Sequence, residues 1–419
     1  MSQTLSRRRA IQLAGAGVAG AAAWNAIPLR TAAQTDQVQI EIALPGFFAD
    51  PEHPAMALIE AFNATDVGVQ ATGANYGASY EEVMQRTQAN ISAQIGPAIA
   101  VTGWKYGAFA DAALAIADLQ EVGGPEVDPL LARYYPWVVD FLRFNDKIIG
   151  LPFSTSNLVI FYNKNLFAQA GLDPEQPPRT WEEVAAFARQ LQAETRVEAP
   201  LIGEMNEFVA QYFVQYNGGR ILDDQGQAVF DSAAGIGGIE VWSGLTRDGL
   251  HVVIEGSQRN PTFLGGNAAM NFGSITGIRS YGANAAFDLG TGPFPAIGEQ
   301  PRQPAGGGNF LGVYAREAEQ REGAWAFLQF VNSPAGAEIW NQSGYLSLIP
   351  EDNLEPIPGQ EPAYAQMEAG MNIETMWPGP RGLEAMNIFN EWIARIVSGD
   401  VELATGMHDA KDAVAALLP

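Results

Sequence analysis

The stretch LPFSTSNLVIFYNKNLFAQAGLDPEQPPRTWEEVAAFARQLQ, from Leu151 to Gln192, constrains the architecture more than any other part of the chain. Leu158, Val159, Ile160 and Phe161 form an apolar run too short for a helix and suited to a buried strand. Asn163 and Lys164 end it, and after a short helical segment Gly171 supplies the left-handed residue that closes the turn. Pro174, Pro177 and Pro178 stiffen the connection. Thr180 and Glu183 then make a capping box, and Trp181, Val184, Ala185, Ala188 and Leu191 follow at helical spacing.

The rest of the chain repeats this alternation. Val38, Ile40, Ile42 and Leu44 alternate with Gln39, Glu41 and Ala43 as a first strand, and Ala55, Leu58, Ile59 and Phe62 form a helical stripe. A second strand is expected around Val67 to Thr72, a helix from about Tyr80, and a third strand from Ile95 through Val101 to Gly103-Trp104-Lys105. Such alternation predicts a parallel sheet with helices on both faces, and ligands in such sheets sit at the carboxyl ends of the strands. The loops carrying Phe47, Tyr80 and Trp104 fall at that edge. Further on, Leu201-Ile202 and Ala268 to Met270 read as strands, and Phe208 to Tyr216 and Ile236 to Leu250 as helices. Gly306-Gly307-Gly308 reads as a loop that lets another group approach closely, ahead of a strand from Phe310 to Tyr314. Beyond Tyr364 the chain is expected to be mostly helical.

Several function classes are excluded on composition. The net charge is -24, the opposite of a nucleic-acid-binding face. There is no cysteine, so no disulfide, thiolate metal site or cysteine nucleophile exists. The three histidines, His53, His251 and His408, are far apart, and no Gly-x-Ser-x-Gly elbow, phosphate loop or His-Glu-x-x-His pair occurs. No cofactor, metal or catalytic residue is therefore expected. Residues 1–33 carry Ser6-Arg7-Arg8-Arg9, a mild apolar stretch from Leu13 to Trp24 and the small residues Thr31-Ala32-Ala33. That pattern reads as a twin-arginine export signal, and its apolar run is too short to span a bilayer stably.

The segment YNK…GLDPEQPPRTWEEV, with Phe263 to Met270 and Ser343-Gly344-Tyr345-Leu346, resembles the sugar-binding family 1 of extracellular solute-binding proteins of ABC importers. The resemblance runs from about residue 38 to the end. It implies a periplasmic-binding-protein-like α/β fold of type II, with a ligand cleft between two lobes. One lobe is expected from residues 38–151 plus 294–332, the other from 152–293 plus 333–419. The chain should cross at Leu151-Pro152-Phe153, near Asp288 to Pro293, and again near Ser333-Pro334.

Matched to the glycerol-phosphate-binding members, the resemblance implies ligand contacts at Tyr80, Ser156, Ser274, Gly308 with Asn309 beside it, and Tyr345. Where those members have an acid after the third strand this chain has Lys105, following Trp104. Glu204 stands in their tryptophan-containing loop, and Met386 aligns with their phosphate-pairing arginine, with Arg381 within a small loop shift. Trp104 is expected to stack on a sugar face. The expectation is a monomeric periplasmic receptor for a neutral mono- or oligosaccharide or polyol, delivering it to an ABC permease. Glycerol phosphate or a glycerophosphodiester is the alternative ligand, and a secreted carbohydrate-active enzyme the alternative of another class.

Overall fold

The computed structural model describes residues 37–144, 146–298, 305–352 and 354–419. The export signal expected at residues 1–33 lies outside them. Strand β1, Val38–Pro45, buries Ile40, Ile42 and Leu44 while Gln39 and Glu41 stay at least partly accessible, as its two-residue period requires. It pairs in parallel with β2, Val69–Gly77, and with β3, Ile99–Gly103. β3 begins four residues later than Ile95. The preceding helix, Tyr80–Ser92, runs into a turn in which Gln94 takes φ 62°, leaving Ile95 exposed. Two short strands, β4 Arg143–Phe144 and β5 Lys147–Ile148, form a separate hairpin.

The central stretch becomes β6, Leu151–Asn163, far longer than its apolar run. Its side chains alternate between two apolar clusters. Leu158, Ile160 and Tyr162 join the main core, whereas Val159 and Phe161 pack with Ile202, Phe263 and Tyr281. β7, Ala199–Gly203, pairs in parallel with β8, Ala268–Ser274. β8 and β9, Leu289–Pro293, both pair antiparallel with the second half of β6. β10, Ala305–Val313, pairs antiparallel with β3 and with the first half of β6, and β11, Asn372–Ile373, adds to its start. The order is β2-β1-β3-β10-β6-β8-β7. β6 is thus one continuous strand serving two sheets.

Two expectations are corrected here. The sheet is mixed and not parallel, because β10 returns against β3 and β6. The run Gly306-Gly307-Gly308 lies inside β10 and is not a loop. Side chains at these positions would strike Met371, Phe208 and Trp104, so the glycines let those groups lie on the strand. The C-terminal part is helical, with helices Glu361–Ala369, Gly382–Val397 and Leu403–Ala415. Among the described residues no helix is long and apolar enough to cross a membrane.

Candidate functional site

Strand register sets out the site. Gly103, at the end of β3, lies opposite Asn309 of β10, which in turn lies opposite Ser154 of β6. Gly307 faces Ser156 and Gly308 faces Thr155. Two residues further along β6, Leu158 faces Ser274 of β8, and Phe272 of β8 faces Gly203, just before Glu204. The Leu346 amide donates to the Thr155 carbonyl at 2.8 Å, which brings Tyr345 to the same line. Trp104, Lys105, Ser156, Glu204, Ser274, Gly308, Asn309 and Tyr345 therefore converge where the two sheets meet. Tyr80 joins them from the first turn of its helix, which Ser79 caps by accepting from the Glu82 amide.

The polar centre is built from two tyrosines and an amide. The Tyr80 and Tyr345 hydroxyls are 3.1 Å apart, and Asn309 Nδ2 donates to the Tyr80 hydroxyl at 2.9 Å. Burial pushes the Tyr80 phenol well above its ordinary range and that of Tyr345 up to about 12, so both stay protonated donors. Asn309 Oδ1 and Ser154 Oγ, on directly opposed residues, are buried without a hydrogen-bond partner. Aromatic rings frame this centre. Tyr345 stacks on Trp340 at 5.8 Å, Trp340 stacks on Phe153 at 4.0 Å, and Phe47, 45% exposed, meets Tyr80 edge-on at 5.4 Å.

The charges are matched internally. Lys105 bonds the Glu207 carboxylate and lies 3.5 Å from Glu374 Oε1. Burial alone would lower the Lys105 ammonium, but the two carboxylates overcome this and hold it well above its ordinary value. Burial pushes the Glu374 carboxyl up to about 7, with Lys105 opposing and Glu207 adding to the rise. Glu207 opens the helix Glu207–Tyr216, capped by Asn206, and Glu374 is held by its amide on the Gly306 carbonyl at 2.9 Å. Arg259 Nη2 lies 3.1 Å from Glu204 Oε1, which also accepts from the Ser274 amide at 3.3 Å.

Two expected site residues, Trp104 and Arg381, are placed differently. Trp104 is fully buried; its indole N–H donates to the Asn309 carbonyl at 3.1 Å and its ring packs on Trp137 and Phe141. The missing side chain of Gly308 opens the slot the indole fills, so it offers no free face. Arg381 is an exposed residue at the head of the helix Gly382–Val397, with its contacts given to Glu384 at 2.8 Å. Met386, on the same helix, is a core residue, 3% exposed. Conversely, Glu207, Glu374 and Arg259 reach the site without having been read from the sequence. Glu207 carried a faint signal, an acid directly after a capping Asn206; Glu374 and Arg259 carried none, since only the chain's path brings them there.

The comparisons with known proteins fit this geometry. Residues 48–338 match the model of the bacterial extracellular solute-binding protein family. The sn-glycerol-3-phosphate-binding periplasmic protein UgpB of Escherichia coli (strain K12) is 30% identical over 217 residues, 48% of this chain and 49% of its own. UgpB of Salmonella typhimurium is 28% identical over 259 residues, 58% of this chain and 56% of its own. The chain thus spans about half the length of the curated relatives it matches. Among solved structures, UgpB from Mycobacterium tuberculosis in complex with glycerophosphocholine aligns with a TM-score of 0.80. That alignment covers 90% of this chain and 98% of that one at 19% identity. The cyclic alpha-maltosyl-1,6-maltose binding protein from Arthrobacter globiformis gives 0.74, covering 91% and 99% at 20% identity. At such identities the likeness shows the fold, an α/β architecture of two lobes. With the family model spanning more than half its length, the chain belongs to the bacterial extracellular solute-binding proteins.

Proposed function

We propose that this protein is the receptor of an ABC importer and holds a neutral mono- or oligosaccharide, or a related polyol, at the junction of the two sheets. Residues 38–151 with 294–332 would form one lobe, and 152–293 with 333–419 the other. The two close on the solute and present it to the permease of the membrane; no bond is made or broken. In this reading the protein is monomeric, needs no cofactor, and works in the periplasm after export by its twin-arginine leader.

The observation that carries the reading is the polar centre. Asn309 Oδ1 is buried and unpaired beside two tyrosine hydroxyls, while Lys105 and Arg259 are already matched by carboxylates. Such a centre satisfies hydroxyls, and the two cations beside it, Lys105 and Arg259, are already engaged by carboxylates. Phe47, Tyr80 and Tyr345 supply the aromatic surface that covers the C–H face of a sugar ring. The relatives that bind glycerol phosphate support the class of solute through its polyol part.

A thermal-shift screen of sugars, polyols and glycerol phosphodiesters tests this. A solute at a hundred times its dissociation constant adds about 2.7 kcal/mol of stability. Neutral saccharides are expected to bind more tightly than glycerol phosphate, with affinities that change little between low and high salt. Tight glycerol-phosphate binding that disappears on Arg381→Ala would overturn the reading and make Arg381 the phosphate ligand.

A further inference from the structure

Lys105 stands at the carboxyl end of β3, in the first sheet. Glu207 stands on the helix that follows β7, in the second. Glu374 follows β11, which rides on β10. Three separate parts of the chain therefore bring one ammonium and two carboxylates together, and the side chains of Lys105, Glu207 and Glu374 are only 15%, 9% and 7% exposed. Nearby, Arg259 is matched by Glu204. The Arg259 guanidinium also donates to Asn271 Oδ1 at 3.2 Å.

A lysine at this place, left to itself, would be an anion site. It stands two residues past Gly103, which lies opposite Asn309 of the Tyr80, Tyr345 and Asn309 centre. The two carboxylates cancel that capacity. Each of the two cations in these pairs already holds a carboxylate, and Glu374, pushed up to about 7, adds a partly ionised acid to Lys105, so an arriving anion finds little uncompensated positive charge among them. Gly307 contributes by omission, because a side chain there would stand 3.2 Å from Glu374 Oε2 and disturb its placement.

We infer that Glu207 and Glu374 are the specificity-determining residues of this cleft: by engaging Lys105 they exclude anionic solutes and leave the site to neutral ones. The inference rests on the reading of the cleft as a neutral-solute site. It names the device that separates this chain's selectivity from that of a phosphate binder: one lysine, held or released by two acids.

The test uses the full chain and glycerol 3-phosphate as probe, by calorimetry at low and high salt. The parent protein is expected to bind glycerol 3-phosphate weakly. The variant Glu207→Gln/Glu374→Gln keeps side-chain volume and one carbonyl acceptor on each side chain while removing the negative charge that engages the ammonium. It should gain about tenfold or more in affinity, the gain shrinking with salt. Adding Lys105→Met should abolish the gain. Should the double variant fail to fold, as judged by its melting transition, Glu374→Gln alone is measured and a smaller gain of the same salt dependence is expected. A folded variant with no gain, or a gain that survives Lys105→Met, overturns the inference and leaves the neutral-solute reading standing. Tight, salt-sensitive binding of glycerol 3-phosphate by the parent overturns the neutral-solute reading itself.

Discussion

Gly308 is a residue whose identity is set by its neighbours. A Cβ there would stand 2.2 Å from the Ser154 carbonyl oxygen and 2.6 Å from the Trp104 ring, and neither backbone nor a buried indole can yield cheaply. Gly308→Ala is therefore expected to destabilise the fold by about 1–3 kcal/mol, read from urea unfolding; an unchanged midpoint would mean that β10 has slack the packing does not suggest. Trp104 belongs to the same packing. Trp104→Ala is expected to cost about 3–5 kcal/mol of stability, so any loss of binding in that variant reports on the fold and not on stacking. Phe47 is the contrasting case. With nearly half its surface exposed beside Tyr80, Phe47→Ala should leave the melting temperature nearly unchanged while weakening saccharide binding in calorimetry. The tyrosines, Ser156 and Asn309 could be named from sequence because short motifs flank them. Glu207 and Glu374 could not, since their partner Lys105 is distant in the chain and nothing local marks the pairing.

At the scale of the element, local chemistry was legible in detail. Gly171 takes φ 77° at the place its helix must end, and Thr180 Oγ1 accepts from the Glu183 amide at 3.2 Å. One refinement is tertiary. The Glu183 carboxylate reaches back to the Arg179 amide at 2.6 Å instead of the cap residue's own. The Trp181 amide meanwhile donates to the Ala296 carbonyl, so the helix entrance is held as a short bridge to another segment. Thr180→Ala is expected to cost about 1 kcal/mol in chemical denaturation, and Thr180→Ser almost nothing. A Thr180→Ala variant as stable as the parent would show that the Ala296 bridge alone holds the entrance. Strand lengths were less legible. β6 extends well before its apolar run because Ser154, Thr155, Ser156 and Asn157 are buried beside β10 on one edge, with Thr155 bridged to Leu346 on the other, and period and hydrophobicity do not report that kind of burial.

For the whole molecule, three shifted titrating groups, His53 half-buried and His251 and Glu374 buried, pull stability in opposite directions with pH. Burial, with Arg279 adding and Asp50 opposing, lowers His53 to about 4, and burial lowers His251 to about 3. Their contribution is present above the ordinary histidine range near 6.5 and is lost as pH falls towards those values. Glu374, pushed up to about 7, contributes most below the ordinary carboxylate range and loses that contribution as pH rises through 7. The opposing slopes nearly cancel near neutral pH, and below about 6.5 the two histidines outweigh the single acid. Denaturation midpoints at pH 7, 6 and 5 should therefore fall with acidification. Glu374→Gln should steepen that fall, because a group that gains on protonation is gone. An unchanged fall in Glu374→Gln would overturn the raised position of its carboxyl.

The sequence by itself determined the family, the α/β class, the caps and turns, and most of the residues that meet where the two sheets join. These properties are local, carried by spacing, a φ that only glycine tolerates cheaply, or a short motif read in place. Tertiary structure alone decided which strands run against each other, that Trp104 faces inward, that Arg381 is occupied by Glu384, and that Lys105 meets two acids from distant segments. Strand direction and charge pairing depend on where the chain returns after long excursions. A residue's burial and partners are settled by those returns, and no window of sequence contains them.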